Sequence, residues 1–198
     1  MRRTILLLAT IALTLLVASG VALAATRIGT DGPDTLRGTK GDDNLIGQGG
    51  NDTLLALAGD DTLLGGPGKD VVNGGNLAEP LGGNKNLVGG EGNDAVQGGL
   101  GSDNVLGGEG NDLMLGGEFD TPAVMDTLSG GEGNEVIDVL NKPAGEDVVT
   151  CGVDRVLADS KDVVSPDCEK VFIGPAAADR FFNSIPESFI EGLPPQFL

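Results

Sequence analysis

One aliphatic side chain recurs at every ninth residue through the middle of this chain, and almost everything between is polar or glycine. From Gly29 the sequence divides into GTDGPDTLR (29–37), GTKGDDNLI (38–46), GQGGNDTLL (47–55), ALAGDDTLL (56–64) and GGPGKDVVN (65–73). Six residues, Gly74 to Glu79, then fall out of register before PLGGNKNLV (80–88), GGEGNDAVQ (89–97), GGLGSDNVL (98–106) and GGEGNDLML (107–115). A second slip, Gly116 to Asp120, precedes TPAVMDTLS (121–129) and GGEGNEVID (130–138). Numbered one to eleven, all units carry Leu, Val, Ile or Met at position eight. Position four is Gly except for Val124, and position six is Asp except for Lys85 and Glu135. The stretches 29–73 and 89–115 need no adjustment, so the period is not made by placing the slips. A disordered Gly/Asp linker would hold no fixed apolar position.

Each unit predicts a three-residue strand centred on position eight and a six-residue turn whose glycines allow positive φ. Two units close a coil of 18 residues, and stacked coils set parallel strands about 4.8 Å apart. The fold class is therefore all-β, a parallel solenoid with the position-eight side chains filling a thin interior.

Composition sharpens this picture. The 198 residues include 34 Gly, 6 Phe and no His, Trp or Tyr. Without His there is no Ser/His/Asp or Cys/His triad and no His-ligated zinc or haem. One buried aliphatic contributes about 1.5–3 kcal/mol, whereas ordering a backbone costs roughly 1–2 kcal/mol per residue. Apolar burial alone loses, and the turns need another source of stability. The formal charge of −18 repels nucleic acid and anionic membranes and favours cations. Turn carbonyls and position-six carboxylates from neighbouring coils form a hard oxygen set, which suits calcium better than zinc, copper or magnesium.

Units such as Gly89-Gly90-Glu91-Gly92-Asn93-Asp94-Ala95-Val96-Gln97 resemble the haemolysin-type (RTX) calcium-binding nonapeptide, G-G-x-G-x-D-x-U-x, over residues 29–138. The resemblance implies a parallel β-roll that takes Ca2+ as its cofactor. It also implies calcium ligation by Asp34, Asp43, Asp52, Asp61, Asp70, Asp94, Asp103, Asp112 and Asp126, and by turn carbonyls including Gly50, Gly68, Gly92, Gly101 and Gly110. Both slips precede even-numbered units, and Lys85 and Val124 fall in those same units, six and ten. The expectation is a continuous calcium row on the odd edge and an interrupted one on the even edge. Simple degeneration of the repeat is the alternative, as is an ammonium replacing an ion at Lys85.

Beyond the repeats, Val149, Val156, Val164 and Val171 continue the apolar column without its glycines, predicting a cap over residues 139–171. Cys151 and Cys168 are the only cysteines and are expected to pair. Asp154, Asp159 and Asp162 read as turn residues rather than ligands. The tail 172–198 holds five of the six Phe and four of the ten Pro. Packing against the cap, disorder and a partner-binding peptide are all open for it.

At the other end, Met1-Arg2-Arg3, the apolar run Ile5–Val17 and Ala22-Leu23-Ala24 read as a Sec-type signal peptide, residues 1–24. The run is short of the roughly 20 residues that span a bilayer. The expectation is a secreted, extracellular, monomeric and non-catalytic calcium-binding repeat protein. Its partners are calcium ions and an unidentified cell-surface or matrix component, with no nucleic acid and no membrane insertion of the mature chain. A secretion or stability module related to RTX enzymes and a surface- or ice-binding solenoid are the alternatives. The last would need regular Thr pairs, and Thr35, Thr53, Thr62 and Thr127 recur irregularly.

Overall fold

The computed structural model describes residues 23–75, 83–117, 124–139, 146–151, 155–158, 160, 162–174 and 177–194. Most of the expected signal peptide, together with Asp154 and Asp159, lies outside them.

Successive nine-residue units alternate between two parallel sheets of eight strands. The first sheet is β1 (Thr26–Ile28), β3 (Asn44–Ile46), β5 (Thr62–Pro67), β7 (Asn86–Glu91), β9 (Asn104–Gly110), β11 (Thr127–Gly133), β13 (Val148–Thr150) and β15 (Val163–Val164). The second is β2 (Thr35–Arg37), β4 (Thr53–Leu55), β6 (Val71–Asn73), β8 (Ala95–Gln97), β10 (Leu113–Leu115), β12 (Val136–Asp138), β14 (Arg155–Ala158) and β16 (Lys170–Ile173). Each strand pairs with the strand two along the chain, in the register that sets position eight on position eight: Leu45 on Leu63, Leu54 on Val72, Val96 on Met114. Side chains alternate faces along a strand, so this register turns the whole column inward. From Leu45 to Val156 these side chains form one continuous core, with Leu36 and Val164 partly buried at its ends. This is the expected two-sheet roll.

Three features differ from expectation. A strand precedes unit one, since Arg27 in β1 pairs with Leu45. Within the repeats four strands are longer than three residues, because β5, β7, β9 and β11 run on into the turn that follows and pair there too, Gly66 with Gly90 and Glu91 with Glu109. The slips also lie elsewhere. Gly74 donates to the Gln97 carbonyl at 2.8 Å and Gly116 to that of Asp138 at 3.0 Å, the bond made at position one by Gly29, Gly38, Gly47 and Gly98. Gly74 and Gly116 therefore occupy position one of units six and ten. The extra residues sit inside those turns, and residues 76–82 and 118–123 lie outside the described ones.

The column continues past the repeats: Leu128 pairs with Val149, Ile137 with Val156, Val149 with Val164 and Val156 with Val171. Cys151 and Cys168 form a disulfide at this end, with Cys151 buried in the core and Cys168 packed against it.

The tail folds back along the outside of the second sheet. In the first units of that sheet position seven is Thr35 and Thr53; from β6 onward it becomes Val71, Ala95, Leu113 and Val136. Position seven points outward, so these residues make an apolar stripe that needs a cover. Helices α1 (Ala178–Phe182) and α2 (Glu187–Gly192) supply it. Phe181, Phe189 and Leu193 bury against Val136 and Leu157 in a second apolar cluster, and Phe172 meets Phe181 edge-on with ring centroids 5.6 Å apart. Lys69 Nζ donates to the Gly192 carbonyl at 2.8 Å, tying the end of α2 to the turn of unit five.

Candidate metal centre

The turns stack into two edges, odd units on one and even units on the other. On both, the position-six carboxylates form a ladder along the stack. The backbone N–H of Asp34 donates to Asp52 Oδ1, that of Asp52 to Asp70 Oδ1, Asp70 to Asp94 and Asp94 to Asp112, at 2.7–2.9 Å. On the even edge Asp43 donates to Asp61, Lys85 to Asp103 and Asp103 to Asp126, each at 2.8 Å. The even ladder then runs on to Asp147 at 2.7 Å and Asp162 at 3.2 Å. The sequence reading missed Asp147 as a member and took Asp162 for a turn residue. The signal was there, since each lies two residues before a column valine, the spacing between positions six and eight.

One carboxylate oxygen is thus committed to the backbone. The other is oriented into the turn. Asp52, Asp70 and Asp94 are fully buried, and their Oδ2 atoms have no hydrogen-bond partner. The first two turns are different: Thr30 at position two donates N–H and Oγ1 to Asp34 Oδ2 at 2.6 and 2.9 Å, and Thr39 N–H donates to Asp43 Oδ2. In the turns of Asp52, Asp70 and Asp94, position two is Gln48, Gly66 and Gly90, and the buried oxygen stays bare.

Burial strips water from these carboxylates, and that raises their pKa values from the ordinary 3.8. Asp94 is pushed to about 8, and Asp61 and Asp70 to about 6, with the backbone hydrogen bond offsetting part of the effect. Asp52 is also raised, for the same first cause. Such a carboxylate is protonated or it finds a cation.

Backbone carbonyls gather beside the bare oxygens. A Cβ placed on Gly89 would meet both Asp94 Oδ2 and the Gly107 carbonyl oxygen at 2.6 Å, so these two oxygens share one pocket above the glycine. The same pair recurs over Gly65 from Asp70 and Gly89. At position four, the Gly50 carbonyl faces the α-carbon of Gly68, Gly68 faces Gly92, Gly92 faces Gly110, and on the even edge Gly83 faces Gly101. The φ of +131° at Gly92 is in the left-handed half of the map, and the Gly68 oxygen fills the space of its missing Cβ. The pattern's glycines are thus enforced twice over, by backbone sign and by the oxygens of the neighbouring coil.

Among the described residues, no three acidic, Cys or His side chains gather at one point. The turns of Asp52, Asp70 and Asp94 each offer a carboxylate oxygen with backbone carbonyls, an all-oxygen set without sulfur or imidazole. Buried bare oxygens of that kind fit a hard divalent cation of flexible coordination, which is the chemistry of Ca2+. The carboxylates of Asp52, Asp70 and Asp94 would hold it, together with the turn carbonyls beside them.

A family model of the RTX calcium-binding nonapeptide repeat matches the chain in four copies, over residues 28–63, 47–76, 82–120 and 126–139, together just over half of its length. No curated protein matches it. Repeats of this kind bind Ca2+, and the matched segments contain every position-six carboxylate from Asp34 to Glu135. The chain belongs to the RTX calcium-binding nonapeptide repeat family.

Proposed function

We propose that this chain is an exported, non-catalytic calcium-binding protein with a structural or surface-associated role, whose roll is completed by calcium on both edges and closed at one end by a disulfide-bonded cap. The observation that carries the reading is the row of buried, bare Oδ2 atoms on Asp52, Asp70 and Asp94. Such oxygens are costly in a finished fold and are relieved by a divalent ion. Export is supported by the basic–apolar–small N-terminal pattern and by the Cys151–Cys168 bond, since disulfides persist outside the cytosol. The non-catalytic reading is supported by a composition without His and by acidic residues whose places follow the repeat.

The test is circular dichroism of the purified chain, titrated with calcium or magnesium after EDTA treatment. Calcium alone should produce or strengthen the β signal, with saturable uptake in equilibrium dialysis. No appreciable uptake at millimolar calcium would overturn the reading.

A further inference from the structure

Lys85 is the one basic residue in a position-six column otherwise made of carboxylates, and it is buried. Its Nζ donates to the Gly83 carbonyl at 2.7 Å and lies 3.8 Å from Asp61 Oδ2, with the lysine side chain 1% and the aspartate 0% exposed. Gly83 is position four of its own turn and Asp61 is position six of the coil before. The ammonium thus meets a turn carbonyl and a position-six carboxylate, the two kinds of oxygen that line the other turns. The surrounding stack is unchanged: Lys85 N–H donates to Asp103 Oδ1, Asn86 N–H to the Asp61 carbonyl and Asn104 N–H to the Lys85 carbonyl, each at 2.8 Å. Coil spacing, register and ladder are those of a calcium turn. Only the source of positive charge differs.

We propose that the Lys85 ammonium stands in for a calcium ion at the joint between the turns of units four and six, so that this joint is held without metal. A monocation fixed beside Asp61 neutralises the carboxylate that an ion would need, and repels a second cation from the same gap. The even-edge row is thereby divided, and one joint of the roll remains closed when calcium is scarce. The turn that carries Lys85 is also one of the two that hold extra residues, so a departure from the repeat in sequence falls where the metal is replaced.

This inference rests on the calcium reading of the other turns, and the test separates the two. Calcium bound per chain is counted by native mass spectrometry after dialysis against millimolar calcium, for the wild type, Lys85→Asp and Lys85→Met. Lys85→Asp restores the carboxylate and should hold one more ion than the wild type. Lys85→Met keeps the apolar stem without the charge. It should hold the wild-type number of ions and melt about 5 °C or more below the wild type in EDTA, because Asp61 is left buried without its counter-ion. A Lys85→Asp count equal to the wild type, or a Lys85→Met melting point in EDTA equal to it, overturns the assignment. Absence of calcium from the wild type would instead overturn the calcium reading itself.

Discussion

Asp70 accepts the backbone N–H of Asp52 on Oδ1 at 2.7 Å and leaves Oδ2 buried and bare. One side chain therefore has two separable tasks, a hydrogen bond that spaces the coils and a charge that meets the ion. Asp70→Asn keeps an oxygen for the Asp52 amide and removes the charge. In chelator this variant should be as stable as the wild type or more so, since no buried charge remains, and in calcium it should bind at least one ion fewer. Asp70→Ala breaks the hydrogen bond as well and should lose about 1–3 kcal/mol even in chelator. Urea denaturation of both variants, with EDTA and with calcium, checks this; equal loss in the two variants under EDTA would contradict the division of labour.

The same carboxylates set the response to pH, with opposite signs in the absence and presence of metal. Burial raises Asp70 to about 6 and Asp94 to about 8, above the ordinary 3.8. Their protonated forms fit the chelated fold, so that contribution is complete below pH 3.8 and is lost as pH climbs through 6 and 8. In EDTA the melting temperature should fall between pH 5 and pH 8.5. With calcium the ionised form is the ligand, so the calcium concentration for half-saturation should fall over the same interval. Calorimetry in EDTA across this interval is decisive, and a melting temperature that rises with pH would refute the account.

How much of this was legible in the sequence follows from which forces repeat. Position eight was legible as the core, because its aliphatic side chain recurs in every unit and the register stacks it into one column. The slips at Gly74 and Gly116 were legible as breaks but were placed at the unit boundary. Counting cannot distinguish Gly74-Gly75 from Pro80-Leu81 at positions one and two, whereas the hydrogen bond from Gly74 to Gln97 can. The aspartates were read as ligands alone. Their bond to the previous coil's amide joins residues 18–24 apart and leaves no local trace. The tail's resting place was written in the change from Thr35 and Thr53 to Val71, Ala95, Leu113 and Val136, a pattern visible only once alternate units are assigned to one sheet.

That stripe gives a prediction for the tail. Phe181 is fully buried against the second sheet, and its replacement by Ala would cost about 3–5 kcal/mol in a core that could not rearrange. If the roll folds independently of the two short helices, the loss has a ceiling, namely their docking free energy. Phe181→Ala should therefore release the strap, expose Val136 and Leu157, increase dye binding to apolar surface and open the segment around Ser184 to proteases. Its calcium count should equal that of the wild type. Loss of calcium binding along with the strap would show that roll and strap fold as one unit.

Position two supplies the last prediction. Most units place Gly there, but unit three has Gln48 at φ +80° and unit four has Leu57 at φ +87°, both in the left-handed region that side chains enter at a cost. Leu57→Gly removes that strain and adds unfolded-state entropy, and the first effect is the larger, so stability should rise by about 0.5–1 kcal/mol. The reverse change at position four has no such compensation. Gly92→Ala would set a Cβ against the Gly68 carbonyl at φ +131°, with a loss of about 2 kcal/mol or more. Urea midpoints in saturating calcium report both, and a Leu57→Gly variant less stable than the wild type would mean that the Leu57 side chain packs more favourably than its backbone is strained.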